Sequence, residues 1–141
     1  MTPDLFWLML TALLAASLWI PFIVGVNTTP YDGKDDHDFF VHPPDHHKMV
    51  PWVHRAFRAH QNLLEQFMPY AVIVLVGHVL GVQTVITAWC TIAFFWLRVA
   101  HAIGMITAWA RFPWRPLIFT AGWLVILVHA WQVFAQAPPA I

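Results

Sequence analysis

Hydrophobic residues are arranged along the chain in blocks long enough to cross a bilayer. The stretch from Leu5 to Val26 contains no charged residue. At about 1.5 Å per residue, a helix of this length spans a hydrocarbon core about 30 Å thick. This stretch is the first predicted transmembrane helix. Because the preceding flank carries Asp4 and no basic residue, it lacks the start of a cleaved signal peptide, and we expect the helix to be retained.

The next uncharged run, from Gln66 to Leu97, is too long for one crossing and too short for two. A turn is expected around Gly77 to Gln83, where polar residues and glycines interrupt the apolar pattern. Each half is then only about 15 residues long, where a crossing needs about 20, so both helices must extend into polar flanks. The pattern predicts a single all-α domain, a four-transmembrane-helix bundle over 1–141, with spans at 5–26, 51–78, 83–109 and 115–135.

Composition agrees with a membrane protein, since 60% of the residues are hydrophobic and 10% are charged, against about a quarter charged in soluble domains. A chain of 141 residues cannot hide so much apolar surface in its own core. The bilayer and further copies of the chain are therefore the expected partners. A formal net charge of zero gives no reason to expect nucleic acid as a partner.

The basic residues fall on one side of the predicted bundle. They lie before or early in the second span and around the connection from the third span to the fourth, at Lys34, Lys48, Arg55, Arg58, Arg98, Arg111 and Arg115. By the positive-inside rule this side is cytoplasmic, so loops 27–50 and 109–115 face the cytoplasm and both termini lie outside. We expect an integral, multi-pass protein of the bacterial inner membrane, with an organelle membrane as the alternative.

Polar residues recur at helical spacing in the second span. They follow one another at steps of three and four, which places them in one stripe, here called the polar row: Arg55, Arg58, Asn62, Glu65 and Pro69. Ionisable groups in a membrane helix are costly unless they face protein, water or one another. The row therefore predicts a pocket, and the alternative is an internal ion pair between Arg58 and Glu65 with no further role.

The third span carries a shorter stripe of the same kind, Arg98, His101 and Met105, followed by Arg111 and Arg115. We expect the two stripes to meet in a pocket that opens to the cytoplasm. Arginine binds carboxylates in a fork and keeps its charge when partly buried, so the pocket suits a small anionic ligand. Nearby positive charge would also favour the thiolate form of a bound thiol.

The run RAFRAHQNLLEQFMP at 55–69 resembles the signature of the MAPEG superfamily, membrane-associated proteins of eicosanoid and glutathione metabolism, in which Arg-Ala-His-x-Asn-x-x-Glu followed by proline recurs. The second half of the chain is also similar to the family's third and fourth helices. The matching residues there are the RVAH run at 98–101, the PWR run at 113–115, Phe119 and Gly122.

The resemblance implies a MAPEG-like homotrimer with glutathione bound between neighbouring subunits in the cytoplasmic half. It further implies that Arg58, Asn62 and Glu65 hold glutathione and that His101 lies near it. Arg115 would be the catalytic residue, stabilising the thiolate. Arg55 and Arg98 belong to the same predicted pocket and complete the expected glutathione-binding set.

Two positions depart from the family pattern, and one residue is inserted between His101 and Arg115. Gln61 stands where active members commonly have a basic residue, and Met105 stands where they have a tyrosine.

The first functional hypothesis is a membrane-bound glutathione-dependent transferase or peroxidase-like protein that acts on an apolar electrophile. The alternative is a noncatalytic binding or accessory subunit of a larger membrane complex. A transporter is disfavoured, because the spans show no half-helix pairs.

The loop at 27–50 is rich in histidine and aspartate. Imidazole and carboxylate together suit zinc, copper, nickel or iron, although the spacing fits no standard zinc pattern. Three interpretations remain open: a solvated surface loop, a metal site at His42, His46 and His47, and a pH-responsive contact. The isolated histidines His78 and His129 are instead expected to be hydrogen-bonded packing residues.

The metal hypothesis makes a direct prediction. Titration of the purified protein with zinc or copper in a calorimeter should give binding heat that disappears when His42, His46 and His47 are all replaced by alanine, because the imidazoles are the ligands. An unchanged titration curve in the triple variant would remove the hypothesis.

Overall fold

The computed structural model describes residues 1–30, 45 and 47–139. Its helices are α1 (Pro3–Ser17), α2 (Ile20–Thr28), α3 (Pro51–Val79), α4 (Val85–Ile106) and α5 (Trp114–Gln136). α1 and α2 follow one another as one apolar segment. The described part of the chain thus has four segments long and apolar enough to cross a membrane, Pro3–Thr28, Pro51–Val79, Val85–Ile106 and Trp114–Gln136. This agrees with the predicted all-α class and number of spans.

The first segment is interrupted between Ser17 and Ile20, a break that the apolar pattern did not predict. Pro21 occupies the first turn of α2 and has no backbone N–H with which to bond the carbonyl of Ser17. Leu18 still closes α1 by donating its backbone N–H to the Leu14 carbonyl oxygen at 2.9 Å. The segment therefore remains helical on both sides of the break.

The connection between α3 and α4 is the tight turn expected in this region. Gly81 has a φ of 73°, in the left-handed region that glycine adopts without a steric cost. Its backbone N–H donates to the His78 carbonyl oxygen at 3.1 Å. Thr84 then caps α4. Its side-chain oxygen accepts a hydrogen bond from the Thr87 backbone N–H, and the Thr87 hydroxyl oxygen accepts one from the Thr84 backbone N–H.

α4 lies at the centre of the bundle and packs against α1, α3 and α5. At the basic end of the bundle, Leu18 of α1's C-cap, Leu63 of α3 and Met105 of α4 share one apolar cluster. At the opposite end, Tyr70 of α3 and Phe94 of α4 belong to a second cluster. α4 thus supplies side chains to both halves of the core.

Polar side chains at the end of the bundle opposite the basic residues are hydrogen-bonded. The Tyr70 hydroxyl lies 3.1 Å from Nδ1 of His129, and Nδ1 of His78 lies 3.0 Å from Nε2 of Gln83. Both histidines are thus hydrogen-bonded as predicted, and the packing role is confirmed for the buried His129, whereas His78 is half-buried. Asp4 was expected only as a flanking residue, but it is buried, and its carboxylate accepts from the Thr87 hydroxyl at 2.9 Å.

α4 and α5 approach closely at Gly122, where the Arg98 side chain crosses α5. Arg98 is 1% exposed, and its Nη2 donates to the Ile118 carbonyl oxygen at 3.3 Å. A Cβ atom at position 122 would collide with Nη2 of Arg98 and lie 2.9 Å from Oε1 of Gln66. Glycine is required here because the guanidinium occupies the space that a side chain would take.

We predict that Gly122→Ala destabilises the protein by about 1–3 kcal/mol, the usual cost of overpacking a core. The added methyl group and the Arg98 guanidinium cannot share the site. The midpoint of thermal unfolding in detergent, followed by tryptophan fluorescence, should therefore fall.

Two further variants isolate the cause. Adding Arg98→Met to Gly122→Ala removes the colliding atoms and should recover part of the lost midpoint, as a coupled pair of neighbours does. Ala135→Val enlarges an exposed position of the same helix and should leave the midpoint unchanged. Full tolerance of Gly122→Ala alone would show that Arg98 does not occupy this space.

Candidate functional site

A cavity of about 470 Å³ opens among α3, α4 and α5 at the end of the bundle that carries the basic residues. This primary cavity is lined by Asn62, His101, Phe112, Arg115, Pro116, Phe119 and Thr120. The lining includes a guanidinium, an imidazole and an amide but no carboxylate. The lining therefore combines a positive charge and polar groups with the apolar surface of Phe112, Pro116 and Phe119.

The connection from α4 to α5 folds back over the end of α4 and brings Arg115 to the cavity. The backbone N–H of Ala110 donates to the Gly104 carbonyl oxygen at 3.0 Å, and that of Arg115 donates to the Arg111 carbonyl oxygen at 3.0 Å. Gly104 permits the return, because a Cβ atom there would lie 2.5 Å from the Ala110 Cβ atom. α5 begins at Trp114, so Pro116 stands in its first turn, where proline is tolerated.

The inner wall of the primary cavity joins α3 to α4. Nδ2 of Asn62 donates to the Met105 sulfur at 3.2 Å. Met105 is buried, and so is His101, whose ring centroid lies 5.8 Å from that of Phe119. The two predicted polar stripes thus meet, as expected, through Asn62 on one side and through His101 and Met105 on the other.

The remaining members of the polar row diverge from this wall. Nε and Nη2 of Arg55 both donate to the Ile106 carbonyl oxygen at 3.2 Å, so Arg55 caps the last turn of α4 with positive charge. Arg58, Glu65 and Pro69 are exposed on the outer side of α3 and do not line the primary cavity. Within one subunit, the structure brings only Asn62 of the row to the cavity.

The internal ion pair considered from the sequence is not found. Across 1–30, 45 and 47–139, neither Arg58 nor Glu65 forms an ion pair with another described residue. Both charges therefore face outward from the described chain, and pairing within α3 does not explain them.

Arg98 lies behind the cavity wall rather than in it. Its guanidinium carbon is 5.6 Å from the Phe94 ring centroid and 5.5 Å from that of Phe119, distances at which a cation is attracted to an aromatic face. Nε and Nη1 of Arg98 are buried without a hydrogen-bond partner in the described structure. Its contacts support Phe119 and the first turns of α5 instead of reaching the cavity.

Gln66 is a polar residue of this region that sequence reasoning missed. It is buried, and its Nε2 donates to the Phe119 carbonyl oxygen at 3.3 Å. Gln66 falls between Leu63 and Tyr70 on the buried face of α3. The sequence signal that could have identified it is an amide side chain on an otherwise apolar helix face.

The predicted metal site lies mostly outside the residues that the structure describes. His42 and His46 lie outside the described residues, and the exposed His47 has its ring centroid 4.8 Å from that of His54. Among the residues that are described, no three histidine, cysteine or acidic side chains are grouped as metal ligands would be. The predicted triad at His42, His46 and His47 stays an untested hypothesis.

Comparison with protein families identifies the family to which the chain belongs. The model of the MAPEG family matches residues 6–135, from the first turns of α1 to the last turn of α5. No curated protein matches the chain. The family match covers the polar row, the wall formed by His101 and Met105, and the start of α5. The chain therefore belongs to the MAPEG family, as the RAFRAHQNLLEQFMP run at 55–69 predicted.

Proposed function

We propose that this protein binds glutathione in the primary cavity and uses its thiolate on an apolar electrophile that arrives through the bilayer. The observation that carries the proposal is the convergence of Asn62, His101 and Arg115 on one cavity whose lining has no carboxylate. Small-molecule sites are usually about 300–1,000 Å³ in volume, and this cavity is within that range. Its positive side suits a peptide with two carboxylates and a thiol.

Arg115 is the residue proposed to stabilise the thiolate. Its guanidinium lines the cavity and makes no hydrogen bond to another residue in the described ranges, so its donors are available to a ligand. A cation beside a thiol favours loss of the thiol proton to solvent. The thiolate sulfur would then form a carbon–sulfur bond with the electrophile, while the bond from that carbon to a leaving group breaks and the leaving group departs with the electron pair, aided by proximity and by charge stabilisation.

The apolar side of the cavity is the proposed place for the electrophile. Phe112, Pro116 and Phe119 form this side, and Phe112 is 88% exposed. An apolar molecule that leaves the bilayer would therefore meet aromatic surface before it reaches the charged groups. In a peroxidase-like reaction the same thiolate would attack a hydroperoxide oxygen and break the O–O bond, which releases an alcohol and leaves a sulfenic acid. A second glutathione would then reduce the sulfenic acid to glutathione disulfide and water.

A homotrimer is part of the proposal, because the polar row is incomplete within one subunit. Glu65 is the fourteenth residue after Pro51 and the fourteenth before Val79, so it occupies the midpoint of the membrane-spanning α3. A charged side chain at the centre of a membrane helix costs about 2.5–3.5 kcal/mol even on the mildest scale. A neighbouring copy packed on this face would shelter Arg58 and Glu65 and close the glutathione site from the side.

We predict that the purified protein in detergent retains glutathione in equilibrium dialysis and shows thiolate absorbance from the bound ligand. Arg115→Gln should lower the thiolate signal about tenfold or more, because an adjacent opposite charge shifts such an equilibrium by one to three powers of ten. Arg115→Lys should keep part of the signal, since it keeps the charge.

Lys48→Gln is the matched control. Lys48 is an exposed basic residue at the same end of the chain's second span, and it does not line the primary cavity. The Lys48→Gln variant should bind glutathione as the unmodified protein does. Protein that retains no glutathione, or that loses the thiolate signal equally in both glutamine variants, would refute the proposal.

A second candidate function is a noncatalytic subunit of a membrane assembly. Met105 favours it, because its sulfur accepts the Asn62 amide N–H at 3.2 Å and offers no hydroxyl proton to a reacting thiolate. Gln61, exposed on α3, adds no charge. Isolation of a stoichiometric complex from native membranes, without turnover of electrophiles, would favour this function, whereas turnover by the isolated protein would exclude it.

A further inference from the structure

A second cavity lies on the other side of Arg115. It has a volume of about 230 Å³ and is lined by Arg55, Met105, Ala108, Ala110, Arg111, Phe112 and Arg115. This secondary cavity shares only Phe112 and Arg115 with the primary cavity. It is therefore a separate space under the connection from α4 to α5.

Three arginines, Arg55, Arg111 and Arg115, line this small space, and its lining contains no acidic residue. Like charges gathered without a counter-ion repel one another, and a bound anion would relieve that repulsion. None of these arginines forms an ion pair within the described part of the chain. The cluster thus has the charge of an anion site without an internal partner.

The hydrogen bonds of the three arginines hold them in place but leave donors available. Arg55 uses Nε and Nη2 on the Ile106 carbonyl oxygen, which leaves Nη1. Arg111 uses only Nε, on the Ala108 carbonyl oxygen at 3.4 Å. Arginines with spare N–H groups from an α3 turn, a loop and the first turn of α5 can bind a tetrahedral oxyanion from several directions.

Exposed aromatic residues surround the cavity and indicate where it lies relative to the bilayer. Trp109 is 68% exposed, Phe112 88% and Trp114 60%. Aromatic side chains of this kind concentrate at the headgroup level of a membrane. Basic pockets between membrane helices on the side predicted to be cytoplasmic are suited to lipid headgroups that carry phosphate.

We propose that the secondary cavity is a phosphate-binding subsite formed by Arg55, Arg111 and Arg115, which adjoins the proposed glutathione site and shares Arg115 with it. The ligand chemistry is a phosphate oxyanion whose charge is not offset by a cationic group of the same molecule, supplied either by the headgroup of an anionic phospholipid or by a soluble phosphate ester. Because Arg115 lines both cavities, a phosphate bound here and a thiolate bound in the primary cavity would share or compete for its guanidinium. The site does not depend on glutathione being the ligand of the primary cavity.

Native mass spectrometry of the detergent-purified full chain tests the proposal with three probes. These are phosphatidylglycerol, phosphatidylcholine with the same acyl chains, and glycerol 3-phosphate in solution. Selective binding of phosphatidylglycerol over phosphatidylcholine is expected. Arg111→Gln should weaken it about tenfold, the loss typical of one hydrogen bond to a charged group, and Arg111→Lys should weaken it less.

Lys48→Gln is again the control, because it removes one exposed positive charge near the same end without touching the cavity. Binding of glycerol 3-phosphate with the same dependence on Arg111, in place of lipid selectivity, would identify a soluble phosphate ester as the ligand. Equal binding of both lipids with no glycerol 3-phosphate bound would overturn the proposal. An equal loss in Arg111→Gln and Lys48→Gln would also overturn it, since it would reduce the effect to general surface charge. Thermal unfolding of each variant shows whether it is folded.

Discussion

A carboxylate and a guanidinium on the outer face of a membrane helix are the constraint on which the account of this protein depends. Glu65 stands at the midpoint of α3, Arg58 lies two turns before it, and both are exposed on a single subunit. Hydrocarbon does not solvate such groups, and no partner within the described chain neutralises them. The face that carries them must therefore be covered by protein or by water. The homotrimer proposed above would meet this requirement by covering the outer face of α3 with a neighbouring copy.

Buried polar groups of the bundle have a different role. Arg98, buried between the rings of Phe94 and Phe119, bonds the first turns of α5, and Gln66 bonds the same part of α5 from α3. Gly122 leaves the space that both side chains need. These contacts hold the segment that carries Arg115. Arg98 and Gln66 thus help to position Arg115, the proposed thiolate-stabilising residue, although neither of them lines the primary cavity.

Much of the architecture was predictable from the chain. Apolar runs and the shortage of residues between Gln66 and Leu97 required α3 and α4 to include charged residues, and the structure has both helices extending through them. The break before Pro21 was not predicted because hydropathy measures only how apolar a residue is. It does not show that proline lacks the backbone N–H that a continuous helix needs. The burial of Asp4 was missed because its partner, Thr87, is distant in sequence. Periodicity places residues on a face but does not say which element that face meets.

The site was predicted less completely than the fold. Helical spacing correctly joined Asn62 to His101 and Met105, yet the same spacing grouped Arg58 and Glu65 with them, although these two lie on the exposed side of α3. A stripe at steps of three and four is broad enough to extend over the boundary between buried and exposed surface. Arg98 was expected in the pocket but packs behind its wall, because the rings of Phe94 and Phe119 enclose its guanidinium. The depth of a side chain within the bundle depends on neighbours that one helix cannot specify.

The most direct measurement is the lipid exposure of the outer face of α3 in a bilayer. Spin labels would be placed at Gln61→Cys, which leaves Arg58 and Glu65 intact, and at Leu124→Cys, an exposed position near the middle of α5, in a Cys90→Ala background. Relaxation by lipid-soluble oxygen reports contact with hydrocarbon. If the outer face of α3 is covered, oxygen accessibility should be low at position 61 and high at position 124. Equal and high accessibility at both positions would contradict this prediction, because the polar row would then face lipid.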